Sequence, residues 1–221
     1  MDDTWLVIPL FNEAPVVGDV VTAARRTFPH VVCVDDASTD ASAEVARRAG
    51  ATVVQHPVNL GQGAALQTGL RYALRDPLMR HAVTFDADGQ HQVADAAAMV
   101  ARLRAGEADA VFGSRFLDGR TQLPPAKRVM LRAGVAWSNA TTGVKMTDAH
   151  NGLRALSRDV VAGLNLTQNR MAHASELVEQ VGRRGWRTVE HPVEILYTDY
   201  SRAKGQSMWN SVNILTELLF R

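Results

Sequence analysis

The stretch Ala82-Val83-Thr84-Phe85-Asp86-Ala87-Asp88-Gly89-Gln90-His91 is an apolar run that ends in two carboxylates one residue apart, followed by an amide and an imidazole. The apolar part has the composition of a strand buried on both faces. The acidic part is where that strand runs out. Like charges this close repel, and each raises the other's pKa. A cation between them, or an opening to water, relieves the repulsion. Either solution puts the pair at a rim of a sheet.

Four more short apolar runs belong with it: Trp5–Leu10, Val31–Asp35, Thr52–Gln55 and Ala110–Phe112. Helix-patterned segments separate them at Val16–Thr27, Ala41–Ala49, Ala64–Leu74 and Ala94–Arg104. Asp40 and Gly50 bracket the second of these as N-cap and C-terminal stop. Strand–helix alternation predicts a mostly parallel α/β sheet. The pattern changes after Gly113. Leu123-Pro124-Pro125 breaks the chain, and a helix is expected over Lys127–Thr141. A loop and then a strand are expected over Asp148–Leu156, a helix over Ser175–Arg184, and a strand or two within Trp186–Leu196. Tyr200–Ser207 is a polar loop, and Met208–Phe220 is amphipathic. No internal repeat or low-complexity linker interrupts the chain. It reads as one domain, residues 1–221: a nucleotide-binding half over 1–115 and a half over 116–221 that completes a pocket.

The bulk numbers suggest one domain, or one domain with an elaborated end. The 221 residues are 46% hydrophobic and 21% charged, enough to bury a core and stay in solution. The net charge of +1 gives no argument for a nucleic-acid partner. The single cysteine, Cys33, lies in an apolar run and reads as a small core residue. Met1-Asp2-Asp3-Thr4 has no basic leader, and no run reaches ~18 apolar residues, so a cytoplasmic location is expected.

In open parallel sheets, ligands bind beyond the carboxyl ends of the strands. Three such ends carry polar clusters: Ile8-Pro9-Leu10-Phe11-Asn12-Glu13, Val34-Asp35-Asp36-Ala37-Ser38-Thr39-Asp40, and Asp86-Ala87-Asp88. A parallel sheet brings all three to one rim. Each has a plainer reading: helix capping for Asn12-Glu13, a turn for the Asp35–Asp40 stretch, a solvated surface pair for Asp86 and Asp88. Asn59-Leu60-Gly61-Gln62-Gly63 follows the third strand, so it is not the dinucleotide fingerprint that follows a first strand. The convergence favours Mg²⁺ or Mn²⁺ between Asp86 and Asp88, with Gln90 adding an amide oxygen and a phosphate on the open side. His91 reads better as a structural histidine than as a ligand. Such an ion stabilises charge on a departing oxygen.

These pieces together resemble the family 2 glycosyltransferases of the GT-A fold, most closely the polyprenyl- and dolichyl-phosphate sugar synthases. The motifs occur in family order: I-P-x-x-N-E at Ile8–Glu13, V-D-D-x-S-x-D at Val34–Asp40, N-x-G-x-G-A at Asn59–Ala64, and D-A-D-x-Q-H at Asp86–His91. G-S-R at Gly113–Arg115, T-D-x-x-x-G-x-R at Thr147–Arg154, and R-x-x-G-x-S at Arg202–Ser207 complete the series. The resemblance implies a Rossmann-like sheet flanked by helices, with a C-terminal extension on the acceptor side. It implies inverting transfer of a sugar from a nucleotide-diphospho-sugar to a polyprenyl phosphate. Pro9, Phe11, Glu13, Val34 and Asp36 would cradle the base and ribose. Asp86, Ala87, Asp88 and Gln90 would hold the donor and its metal. Arg115 and Arg128 would face the acceptor phosphate, Arg202 the donor diphosphate, and Asp148 the reaction centre.

Two departures from the family pattern stand out. Met208 replaces a common lysine, with Lys204 a candidate substitute. Relatives often continue into membrane helices, whereas here Trp209, Leu215, Leu218, Leu219 and Phe220 form one amphipathic segment. That segment suits either a peripheral contact with the inner face of the membrane or packing on its own domain. Transfer to a soluble sugar or cell-envelope hydroxyl, and a silent nucleotide-sugar-binding module, are the alternatives to the leading reading.

Overall fold

The computed structural model describes residues 1–121, 125–142, 144–169, 172–196 and 200. The five expected strands form as β1 (Thr4–Leu10), β2 (His30–Asp35), β3 (Thr52–Gln55), β4 (His81–Thr84) and β5 (Ala110–Ser114). Two more, β6 (Arg154–Ser157) and β7 (Thr188–Pro192), extend them into one sheet of order β3-β2-β1-β4-β6-β5-β7. Strands β3, β2, β1 and β4 pair in parallel, as do β5 and β7. Only β6 is reversed, lying antiparallel between β4 and β5.

Side-chain alternation explains why the strands read as unbroken apolar runs. Leu6, Ile8 and Leu10 of β1 enter one core, and Val7 enters the other. In β2, Val31 and Cys33 face the first core while Val32 and Val34 face the second. Helices cover both faces, so neither set meets water. On the first face lie α1 (Ala14–Arg25), α2 (Ser42–Arg48) and α4 (Val93–Arg104). On the second lie α3 (Gln62–Ala73), α6 (Arg158–Gly163) and α7 (His173–Arg183). Each fully buried Leu, Ile, Val or Phe contributes roughly 1.5–3 kcal/mol.

Gly50 ends α2 as its position suggests. Its φ of +95° suits glycine, and Ala51 N–H donates back to the Ala46 carbonyl at 3.0 Å. Asp40 is not the N-cap of α2; Ala41 holds that position. The reason is that the Asp40 carboxylate reaches farther. It accepts from Ser42 N–H at 2.9 Å and from Ala14 N–H, at the start of α1, at 3.2 Å. One side chain thereby serves two helix starts. Asp40→Ala is expected to cost about 1–2 kcal/mol, read by chemical denaturation, through the loss of both amide contacts.

The helix expected over 127–141 is α5 (Pro125–Thr142), and the helix expected over 175–184 is α7. Within 186–196, β7 forms and Ile195 bridges to His91. The short helix α6 was not expected; Ser157 caps it by accepting from Val160 N–H at 3.4 Å. The expectations for Leu123-Pro124, for Arg202, Lys204 and Met208, and for the amphipathic segment lie outside the described residues. Among the described residues, no helix is long and apolar enough to cross a membrane.

Candidate active site

The carboxyl ends of β1, β2 and β4 share one rim, and their loops are tied to one another. Asn12 and Ala37 both adopt positive φ, 53° and 60°, where residues other than glycine are rarely found. Hydrogen bonds hold these turns in place. Asn12 N–H donates to Ser38 Oγ at 2.9 Å, Thr39 N–H donates to Asn12 Oδ1 at 2.9 Å, and Glu13 N–H donates to Ser42 Oγ at 2.7 Å. The result fixes Glu13 at the mouth and leaves Phe11 exposed. Tyr200 reaches back over the rim, its Oη donating to Glu13 Oε2 at 2.8 Å. Burial, and then Glu13, pushes the Tyr200 phenol up to about 12, so it remains a donor at neutral pH.

Asp36 organises the glycine-containing loop. Its carboxylate accepts Leu60 N–H at 2.9 Å and Gly61 N–H at 2.6 Å, and lies 2.7 Å from His56 Nδ1. The other ring nitrogen of His56 is 3.0 Å from Thr68 Oγ1. Asp36 is buried, and the Val34 side chain lies wholly in the second core. Any contact from Val34 to a ligand would therefore use its backbone. The same holds for Ala87, whose methyl packs in the first core.

The acid pair divides its work. Asp86 is held on both oxygens: Gln62 Nε2 donates to Oδ1 at 3.1 Å, and His91 Nε2 lies 2.9 Å from Oδ2. His91 is thus a structural partner of the pair. A Cβ on Gly152 would come within 2.2 Å of Asp86 Oδ2, so only glycine lets that loop close over the carboxylate. Burial pushes the Asp86 carboxyl up, but the His91 hydrogen bond and the charges of His91, Arg154 and His173 outweigh it and hold the group below the usual range. Asp88 behaves oppositely. Burial, the charge of Asp86 and, more weakly, that of Glu13 push it up to about 6, against the Gln90 amide and His91. Its Oδ1 accepts Gln90 N–H at 3.0 Å.

A second polar cluster comes from the end of β5 and the segment leading into β6. Arg115 donates to Asp148 Oδ2 from its backbone N–H at 3.1 Å and from Nε at 2.6 Å. The side chains are 12% and 1% exposed, so this is a buried ion pair. Glu190 of β7 clamps the loop below it. Its carboxylate accepts Thr147 N–H at 2.9 Å, Thr147 Oγ1 at 2.8 Å and Asp148 N–H at 3.1 Å. Arg154, the first residue of β6, is fully buried, and its charge reaches both Asp86 and Asp148. Asp86 and Asp148 therefore both lie within the reach of one buried cation. Arg128 is exposed on α5 and pairs with none of these acids among the described residues.

The sequence singled out Asp86, Asp88, Asp148 and Arg115 but missed Gln62, His56, Glu190, Tyr200 and the role of Arg154. For Arg154 a signal was present: one arginine interrupts Leu153-Arg154-Ala155-Leu156, an otherwise apolar strand. Among the described residues, no cluster of three or more His, Cys, Asp or Glu side chains is built to hold a metal unaided. The arrangement does fit an ion held by the Asp88 carboxylate together with phosphate oxygens, which is how Mg²⁺ usually binds beside nucleotides.

A mostly parallel sheet wrapped by helices, with an acid pair after β4 and a second acid beside an arginine, is the fold of the GT-A glycosyltransferases. The glycosyl transferase family 2 model matches residues 5–163, and the chain belongs to that family. It is a glycosyltransferase. It is 31% identical to an uncharacterized protein of Methanocaldococcus jannaschii, covering 100% of this chain and 92% of that one. It is 28% identical to the UDP-N-acetylglucosamine–dolichyl-phosphate N-acetylglucosaminyltransferase of Methanococcus voltae, covering 97% and 94%. The fold superimposes on glucosyl-3-phosphoglycerate synthase from Mycobacterium tuberculosis, solved in complex with Mn²⁺ and UDP-glucose. The TM-score is 0.73 at 19% identity, over 99% of this chain and 78% of that one.

Proposed function

We propose that the protein moves a sugar, with inversion, from a nucleotide-diphospho-sugar to a polyprenyl phosphate. The observation that carries this reading is the meeting of two unlike acids at one rim, Asp88 on the donor side and Asp148 with Arg115 on the acceptor side. Pro9, Phe11, Glu13 and the backbone at Val34 line the base and ribose, and Asp36 holds the loop beneath them. Asp86 and Ala87 shape the donor seat. Asp88, with Gln90 beside it, would hold Mg²⁺ or Mn²⁺, and the ion would supply charge stabilisation to the leaving group. An oxygen of the acceptor phosphate attacks the anomeric carbon as the nucleoside diphosphate departs from the opposite face. Arg115 suits that phosphate because a guanidinium fork matches its geometry. Arg128 and Arg202 would assist from α5 and from the C-terminal loop. The whole chain acts as one catalytic domain, working at the cytoplasmic face of a membrane. The dolichyl-phosphate activity carried in the name of the Methanococcus voltae relative supports the acceptor class.

A donor panel against farnesyl phosphate tests it, with release of nucleoside diphosphate as readout. The expected result is one preferred donor and release that depends on both the lipid phosphate and a divalent cation. Turnover only with a hydroxyl acceptor would overturn the acceptor assignment. Binding of donor without turnover on any acceptor would make the protein a silent module.

A further inference from the structure

The buried polar cluster beneath the rim contains two orphans of opposite charge. Arg154 Nε is buried with no hydrogen-bond partner, and so is Asp148 Oδ1. Among the described residues, the Arg154 guanidinium makes no hydrogen bond or ion pair, although Arg154 is only 1% exposed. Buried polar groups are nearly always partnered, because desolvation otherwise goes uncompensated. A buried arginine left this way is costlier still. Asp148 and Asp86 lie within the reach of its charge. Asp86 is already held by Gln62 and His91, with the Gly152 backbone closed against it. Asp148 is held on one oxygen only, by Arg115 and at 3.5 Å by Asn151.

We propose that Arg154 is a positioning residue that acts as the reserve counter-ion of Asp148, taking over its carboxylate when Arg115 turns to the acceptor phosphate. Without a reserve, the departure of Arg115 would leave Asp148, 1% exposed, as an uncompensated buried charge. With it, the two orphans satisfy each other and the cluster keeps its charge balance. Arg115 is then an exchangeable partner, and phosphate capture costs less. The competing idea is that Arg154 only neutralises the cluster and supports the fold. The inference rests on the phosphate-acceptor reading above.

Steady-state kinetics of Arg154→Met and Arg154→Lys separate the two ideas. Methionine keeps a long side chain and removes the charge; lysine keeps the charge. The expected result for Arg154→Met is a KM for farnesyl phosphate raised roughly ten-fold or more, while the donor KM changes less than about three-fold. Arg154→Lys recovers at least half of that rise on a logarithmic scale. A purely structural role would lower the melting temperature and leave the ratio of the two KM values unchanged, which would overturn the proposal. If wild-type protein is saturated by farnesyl phosphate and Arg154→Met has the same acceptor KM, Arg154 alone loses its role. If wild-type protein is not saturated by farnesyl phosphate at all, the acceptor reading falls and takes this proposal with it. Should Arg154→Met not fold, nitrogen-15 arginine spectra of the wild-type protein decide. Adding farnesyl phosphate is expected to move the Nε–H signals of both Arg115 and Arg154. A shift at Arg115 alone would overturn the exchange.

Discussion

Replacing Asp88 with alanine is expected to lower sugar transfer at least ~10³-fold while the protein stays folded and gains stability near neutral pH. The two effects have one cause. Asp88 is pushed up to about 6, chiefly by burial and next by the charge of Asp86. A carboxyl whose folded pKa lies above its unfolded value favours the folded state only when protonated. Its destabilising effect is therefore fully present above about pH 6 and fades as pH falls toward the ordinary carboxylate range. Asp88→Ala should be more stable than wild type at pH 8, on the order of 1–2 kcal/mol after allowance for solvent screening, and no more stable below pH ~4. Urea denaturation at the two pH values reads this. Wild-type turnover in the variant across a Mg²⁺ and Mn²⁺ titration would remove Asp88 from the metal site.

Asp148→Asn has the second largest expected effect, on stability and on catalysis together. Asparagine keeps the shape and removes the charge that Arg115 and Arg154 share. Breaking a buried pair from one side leaves its partner uncompensated, at a cost of about 3 kcal/mol. The catalytic consequence depends on the acceptor. A phosphate monoester is already mostly ionised at neutral pH, its second pKa being ~6, and needs little help losing a proton. The expected loss of rate is then about 10–10²-fold, with the pH–rate profile above pH 7 unchanged in shape. A hydroxyl acceptor needs a base, and losing one costs ~10²–10⁴-fold. In that case the acidic limb of the profile would also disappear, and the phosphate assignment would be wrong.

The strands of the first half were legible because a strand covered on both faces must be apolar throughout, and Leu6–Leu10, Val31–Val34 and Ala82–Phe85 are nearly so. Asp86 and Asp88 were legible for the complementary reason that charge cannot continue such a run. The partners of these groups were not. Asp36 is answered by His56 and Leu60, 20 and 24 residues away, and nothing local in either segment announces the pairing. Glu190 reads as one polar residue in a weakly alternating stretch until β7 is laid beside β5. Asp40 was misread because capping rules consider one helix at a time, whereas its carboxylate lies between two. The reversal of β6 left no mark either, since four residues of Arg-Ala-Leu-Ser carry no direction.

That reversal has a topological consequence. A strand entering a parallel sheet backwards starts where its neighbours finish, so the segment leading into β6 arrives at the same rim as the segments leaving β4 and β5. However far the chain travels through α5, strand direction returns the loop bearing Asp148 to the rim where β5 ends, against Arg115. The connection between β5 and β6 therefore begins and ends at that one rim. Both of its ends are anchored in adjacent strands, and the loops after β1, β2 and β4 lie outside it. Changes confined to residues 116–147 would leave the loops after β1, β2 and β4, and the strands that carry them, in place.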